Sequence, residues 1–225
     1  MTPGGLDLRR RPIGAAQPWL VRACRGFGSR LTRVFFTVEV HGADLVPPEG
    51  AVLLAGNHSG FLDGPLVFLL SPRPAVFLTK AELFVGPLAR ALGWLGQIAV
   101  HRGRPDRTAL KQGLAVLAGG GALGVFPEGT RSTGQLAQTT DGLAYLALHS
   151  GAAVIPIAVL GTSAALPKGS WRPAWRAPVT IVFGAPISLA VEGDPRARRT
   201  VGVAAEQLRL SLVAHLRAAE QERTP

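Results

Sequence analysis

The sequence predicts an α/β fold: one domain with a largely parallel or mixed central sheet flanked by helices, preceded by an N-terminal amphipathic helix. Three observations carry this. Short β-rich runs alternate with stretches of helical period along most of the chain, the pattern of an α/β sheet wrapped by helices. The segments richest in glycine and polar residues follow directly after predicted strands, where such sheets keep their reactive loops. A chain of 225 residues with 47% hydrophobic content is of one-domain size and can build a real core.

The first seventeen residues contain Pro3, Gly4, Gly5, Arg9 to Arg11, Pro12 and Gly14, which break helices and offer little to bury, so they read as a mobile arm. From Pro18 to Phe36 the apolar Leu20, Cys24, Phe27, Leu31, Val34 and Phe35 recur at three- and four-residue spacing, with Arg22, Arg25, Ser29 and Arg33 between them. This is a basic amphipathic helix. It fits two roles equally: lying in a lipid headgroup region with its arginines on anionic lipid, or packing as a first helix on the domain. Residues 1–36 are thus arm and helix, and residues 37–225 form the domain proper. Strands are predicted over Phe35–Val40, Ala51–Ala55, Ala75–Leu78, Ile98–Val100, Ala122–Phe126, Val154–Leu160 and Val179–Phe183. Helical period marks Glu82–Leu92, Arg107–Leu117, Gly142–His149 and Arg196–Arg217.

Lys and Arg number 24 against 14 Asp and Glu, a net charge of +10 that favours anionic lipid or acidic carriers. Most of the cations are Arg, and with abundant Ala, Gly and Leu this is also what a GC-rich coding sequence gives. Basic runs carry no interleaved aromatics and no nucleic-acid-binding pattern, so nucleic acid is not an expected partner. The single cysteine, Cys24, cannot form an internal disulfide, which suits a reducing cytoplasm. No apolar run reaches the roughly 18 residues that span a bilayer. The five histidines include no pair at metal-ligand spacing, so neither metal nor cofactor is expected.

Two segments carry chemistry. After the strand ending at Ala55, His58 and Asp63 stand five apart in Gly56-Asn57-His58-Ser59-Gly60-Phe61-Leu62-Asp63. On a turn leading into a helix, the carboxylate can fold back on one ring nitrogen and leave the other as a base. The same residues also serve as ordinary turn and cap formers. After Phe126 comes Pro127-Glu128-Gly129-Thr130-Arg131-Ser132, where backbone amides beside a glycine and a guanidinium can grip an anion, or simply form a polar turn.

Taken in order, NHSGFLD, LGQIAVHRGR, VFPEGTRS and AVIPIAVLG resemble the four blocks of the glycerolipid acyltransferase superfamily, the PlsC-like 1-acylglycerol-3-phosphate acyltransferases. The resemblance runs from about Val38 to Ile187. It implies acyl transfer from acyl-CoA or acyl-ACP, as co-substrate, to a hydroxyl of lysophosphatidic acid or a related glycerol-phosphate acceptor. It implies His58 as general base and Asp63 as its orienter. Arg102 and Arg131 would hold the acceptor phosphate, Glu128, Gly129 and Thr130 would shape that site, and Pro156 would lie on the acyl-donor side. Lys80 and Glu82 fall in a stretch similar to the family's segment before the second block. An acidic residue usually precedes the second-block arginine, where His101 stands here, and a basic residue usual after the third block is replaced in the run holding Thr140. The implied setting is the cytoplasmic face of the cell membrane, bound peripherally. Another lysolipid or a glycolipid is the alternative acceptor. A different chemistry is offered by Gly161-Thr162-Ser163-Ala164-Ala165, close to a serine hydrolase elbow, with Ser163 as nucleophile but Ala165 in place of the second glycine and Pro167 soon after. Donor, chain length, acceptor and oligomeric state are left open.

Overall fold

The computed structural model describes residues 16–101, 106–127 and 141–223. The seven predicted strands are all present: β1 (Phe36–His41), β2 (Val52–Gly56), β3 (Ala75–Lys80), β4 (Ile98–Val100), β5 (Ala122–Val125), β6 (Ala153–Leu160) and β7 (Ala177–Phe183). They form one sheet in the order β1-β7-β6-β2-β5-β3-β4. Neighbours from β6 to β4 run parallel; β7 is antiparallel to β6 and parallel to β1, so the sheet is mixed. Helices α1 (Pro18–Phe35), α2 (Asp63–Leu70), α3 (Gly86–Trp94), α4 (Arg107–Ala118), α5 (Asp141–Ser150), α6 (Thr162–Ala165) and α7 (Arg198–Arg223) complete the fold.

Alternation along the strands divides the core in two. Leu53 and Ala55 of β2 and Leu123 and Val125 of β5 point to a face covered by α4, α5 and α7, through Leu117, Leu143, Leu146, Leu208 and Leu212. Val52 and Leu54 point to the other face, with Ile155, Ile157 and Val159 of β6, Leu66 and Val67 of α2 and Val21 of α1. The central strands are apolar on both sides because helices cover both sides.

Helix α1 occupies the predicted span, but its inward stripe differs from the apolar one read in the sequence. Val21 and Thr32 are buried and Cys24 and Arg25 half-buried, whereas Phe27, Leu31, Val34 and Phe35 are exposed. At Gly28 a Cβ would strike Leu69 of α2, so the glycine lets the two helices approach closely. Arg25, expected on a polar outer face, turns inward and donates to Phe68 O, to Ser71 O and, at 3.0 and 3.2 Å, to Ser71 Oγ and Arg73 O. Phe68 lies in the last turn of α2 and Ser71 caps it, and a cation there suits the negative end of the helix dipole. Burial holds the guanidinium pKa below its usual value. One side of α1 is therefore fixed to the domain while its larger apolar side chains face outward. The arm at 1–15 lies outside the described residues. No described helix is long and apolar enough to cross a membrane.

Replacing Arg25 by Met keeps much of the stem but leaves the α2 carbonyls without their donor, and is expected to cost about 2 kcal/mol in denaturant unfolding. Arg30, bonded among the described residues only to Gly26 O of its own helix, is the control. Arg30→Met should stay within about 0.5 kcal/mol.

Candidate active site

The carboxyl ends of β2, β3, β5 and β6 share one edge of the sheet, and His58 and Asp63 lie just beyond β2 there. Asn57 anchors the departing chain. Its side chain donates to Val159 O at 2.9 Å and accepts from Val159 N–H at 2.8 Å, imitating one more strand residue beside β6. The chain then turns, and Asp63 opens α2 with its side chain folded back towards His58.

Asp63 is 0% exposed. A buried carboxylate needs donors at both oxygens, and three donors from two segments provide them. His58 Nδ1 donates to Oδ2 at 2.9 Å, the Gly60 N–H donates to the same oxygen at 2.8 Å, and the Thr162 hydroxyl donates to Oδ1. A carboxylate only accepts, so Nδ1 carries the proton and Nε2 is left as the basic nitrogen. With its proton committed to Asp63, Thr162 accepts from Ser59 Oγ at 3.2 Å. Gly60 must be glycine for this packing, since a Cβ there would lie 2.8 Å from Thr162 Oγ1 and 3.1 Å from Ser163 N.

The His58 ring stacks on Phe126 with centroids 4.9 Å apart, and Phe126 stacks on Phe77 at 5.9 Å. Gly124 makes room for the Phe77 ring, which a Cβ at that position would overlap. These rings form one wall of a cavity of about 470 Å³ that runs between α2, β3 and α3. Its lining is mainly apolar, with Phe68, Leu69, Leu92 and Leu95 among its walls and Cys24 of α1 contributing. Lys80 and Glu82 also line it and pair at 3.5 Å. Gln97 braces the wall, accepting from Phe77 N–H at 2.9 Å and donating to Leu95 O at 3.0 Å. A base thus stands in the wall of an apolar slot.

Of the other residues singled out in the sequence, Arg102, Glu128, Gly129, Thr130, Arg131 and Thr140 lie outside the described residues. Pro156 is buried inside β6 opposite Ala55, against Gly184, and does not line this cavity. Ser163 is exposed on the single turn of α6, and its hydroxyl bonds no histidine or carboxylate among the described residues. His101 is tied to Asp106, which accepts from its backbone N–H and from Nδ1, both at 3.0 Å, while capping α4 through Ala109 N–H. Burial pushes the Asp106 carboxyl up, but the two amides and the His101 ring outweigh it and bring the pKa down to about 2 from an ordinary 3.8. Being lowered in the fold, it contributes stability at neutral pH that fades as pH falls through that interval.

Sequence reasoning missed Thr162, and treated Asn57 and Gly60 only as turn formers. The one signal for Thr162 is its place in Gly161-Thr162-Ser163, directly after β6 at the edge where His58 stands.

Comparison with known proteins shows the family and the fold. Residues 37–160 match the family model described as Acyltransferase. The chain is 34% identical over 159 residues to a 1-acyl-sn-glycerol-3-phosphate acyltransferase of Chlamydomonas reinhardtii, covering 67% of this chain and 47% of that protein. It is 37% identical over 162 residues to a lyso-ornithine lipid O-acyltransferase of Pseudomonas aeruginosa, covering 68% and 60%. A 1-acyl-sn-glycerol-3-phosphate acyltransferase of the same bacterium is 32% identical over 198 residues, covering 85% and 74%. The chain thus spans about half the length of the first two relatives and three quarters of the third. The crystal structure of PlsC, a 1-acyl-sn-glycerophosphate acyltransferase from Thermotoga maritima, superimposes with a TM-score of 0.69 at 25% identity, covering 96% of this chain and 84% of that one.

Nitrogen-15 NMR of the imidazole should show His58 Nδ1 protonated and Nε2 bare in the neutral ring. Thr162→Val keeps the shape but leaves Asp63 Oδ1 buried without a donor, and the two His58 nitrogens should then drift towards averaged shifts. A Thr162→Ser protein should keep the wild-type spectrum.

Proposed function

The chain belongs to the Acyltransferase family, and we propose that it moves a fatty acyl group from a thioester to the free hydroxyl of lysophosphatidic acid or a closely related lysolipid. The observation that carries this reading is the position of His58: held by a buried carboxylate on one side, its other nitrogen is free to act beside an apolar cavity with room for an acyl chain. Acyl-CoA and acyl-ACP both fit as donor.

The reaction asks little beyond placement and proton handling, since a thioester is already activated. His58 Nε2 removes the proton of the acceptor hydroxyl as its oxygen attacks the thioester carbonyl. The tetrahedral intermediate collapses, the C–S bond breaks, and the imidazolium returns the proton to the leaving thiolate. Asp63 holds the ring in the useful tautomer and stabilises the imidazolium, with Thr162 and Gly60 holding Asp63. Base catalysis of this kind contributes a factor of about 10² to 10⁴. Arg102 and Arg131 keep the proposed role of acceptor-phosphate clamp, and Glu128, Gly129 and Thr130 that of its surround, by resemblance alone. Pro156 likewise keeps its proposed place on the acyl-donor side by resemblance alone, acting through the shape of β6.

A second acceptor class has a specific basis: the relative named for lyso-ornithine lipid, together with His101 where an acidic residue is usual. Ser163 hydrolysis has none, because no base among the described residues bonds it.

The outward side of α1 supports peripheral membrane binding. Phe27, 70% exposed, stands with Leu31 and Val34 beside the exposed Arg22, Arg30 and Arg33. A lysolipid resides in a bilayer, and a helix with apolar and cationic groups on its free side can hold the enzyme there.

The test is the full chain with a labelled long-chain acyl-CoA or acyl-ACP and a panel of lysophosphatidic acid, glycerol 3-phosphate and lyso-ornithine lipid, products resolved by mass. A diacylated phospholipid product is expected. His58→Ala should lower turnover by roughly 10² or more with unchanged melting, because a turn histidine supports little of the core. Free fatty acid as the main product, or more than a few per cent of turnover in His58→Ala, would overturn the reading.

A further inference from the structure

Two strongly exposed tryptophans lie far along the sequence from α1, in the segment joining α6 to β7. Trp171 is 80% exposed and Trp175 66%. Their segment is held in place by its backbone rather than by burial. Ala174 N–H donates to Ala165 O at 2.8 Å, Arg176 N–H donates to Phe35 O at 2.7 Å, and Thr37 Oγ1 donates to Arg176 O at 3.2 Å. Arg176 takes a left-handed conformation, φ 57°, uncommon for a residue with a Cβ and accepted here to keep the loop against the end of α1.

The Trp175 ring stands edge-on to Phe35 with centroids 5.4 Å apart, so the apolar outer surface of α1 continues into the loop. The Arg172 guanidinium lies over the Trp171 ring, 4.3 Å from its centre. Charge in the region has one sign: Lys168, Arg172 and Arg176 occur in it, and residues 142–191 contain no Asp or Glu. Topology places the loop functionally. Because β7 is antiparallel to β6, with Leu160 opposite Thr180, the start of β7 lies at the sheet edge where β6 ends and Thr162 grips Asp63. The tryptophans and the catalytic histidine therefore share one edge of the molecule.

We propose that Trp171, Arg172 and Trp175 form a second bilayer contact, separate from α1, that seats in the headgroup region of an anionic lipid surface and turns the catalytic edge towards it. This rests on the reading of α1 as a bilayer-bound helix. Indole rings flanked by guanidinium groups suit that depth, being apolar over most of their area with one polar N–H, while the cations meet lipid phosphates. One contact along α1 leaves the domain free to roll about the helix axis. A second contact beyond the helix end removes that freedom, and an acceptor in the leaflet meets the cavity without leaving the lipid.

Tryptophan emission tests this directly in the full chain. With Trp19→Phe and Trp94→Phe, only Trp171 and Trp175 remain. On vesicles of phosphatidylcholine with phosphatidylglycerol their emission should shift to the blue and be quenched by lipids brominated near the headgroup. In the wild-type background, Trp171→Ser with Trp175→Ser should weaken vesicle binding about tenfold and lower turnover on vesicle-borne acceptor, while activity on a water-soluble short-chain acceptor and the melting temperature stay unchanged. Phe27→Ser with Leu31→Ser reports on α1 independently. If the protein binds vesicles through α1 but the two tryptophans neither shift nor quench, the second contact is wrong and the α1 reading survives. If neither pair of substitutions affects vesicle binding, both fail. A blue shift that grows with protein concentration in the absence of lipid would assign the loop to contact between copies of the chain and overturn the proposal.

Discussion

A carboxylate with no exposure to water is the constraint around which the proposed active-site edge is arranged. Removing such a charge from solvent costs several kcal/mol unless its oxygens are met by donors. Asp63 meets three donors on two separate pieces of chain: the His58 ring and the Gly60 amide of the turn after β2, and the Thr162 hydroxyl beyond β6. Satisfying it requires β2 and β6 to be neighbours, the turn after β2 to fold back, and the first residue after Gly161 to carry a hydroxyl. Asn57 enforces the first condition through its two bonds to Val159, and Gly60 permits the second by leaving room for Thr162. The orientation of the His58 ring, the proposed base, is thus specified by the fold around the carboxylate as much as by its own position.

The apolar half of the site is built by another sequence of dependencies. Gly124 leaves space for the Phe77 ring, Phe77 stacks on Phe126, and Phe126 stacks on His58. The wall of the cavity and the orientation of the imidazole plane are therefore set together. Helix α1 contributes Cys24 to the same cavity and is locked to α2 by Arg25. That arrangement links the exposed apolar surface of the molecule to the slot beneath it through a single rigid helix.

Much of this was legible in the sequence, and the exceptions have physical causes. The strands showed because apolar β-rich runs ended at glycine and polar clusters, and His58 with Asp63 showed because their spacing on a turn has chemical meaning. Helix α2 showed no amphipathic period, since Gly64-Pro65-Leu66-Val67-Phe68-Leu69-Leu70 is apolar nearly throughout; it packs between α1 and the sheet and has little free surface on which to place polar residues. In α1 the rule that apolar residues face inward failed. Its inner side is occupied by Arg25, whose donors end α2, and by small residues that allow close approach, leaving Phe27 and Leu31 outside. Thr162 escaped because a hydroxyl that acts on a carboxylate 99 positions earlier leaves no local pattern.

The central claim is that Asp63 acts through the His58 imidazole rather than through the integrity of the fold. The most direct measurement is the pH dependence of kcat for acyl transfer in the wild type and in Asp63→Asn, with both proteins checked for equal melting behaviour. A wild-type rate that rises with pH is expected of base catalysis. For Asp63→Asn the account predicts a loss of about 10² or more in kcat with the KM values for donor and acceptor nearly unchanged. An Asp63→Asn enzyme that folds normally and retains the wild-type kcat and pH profile would contradict it.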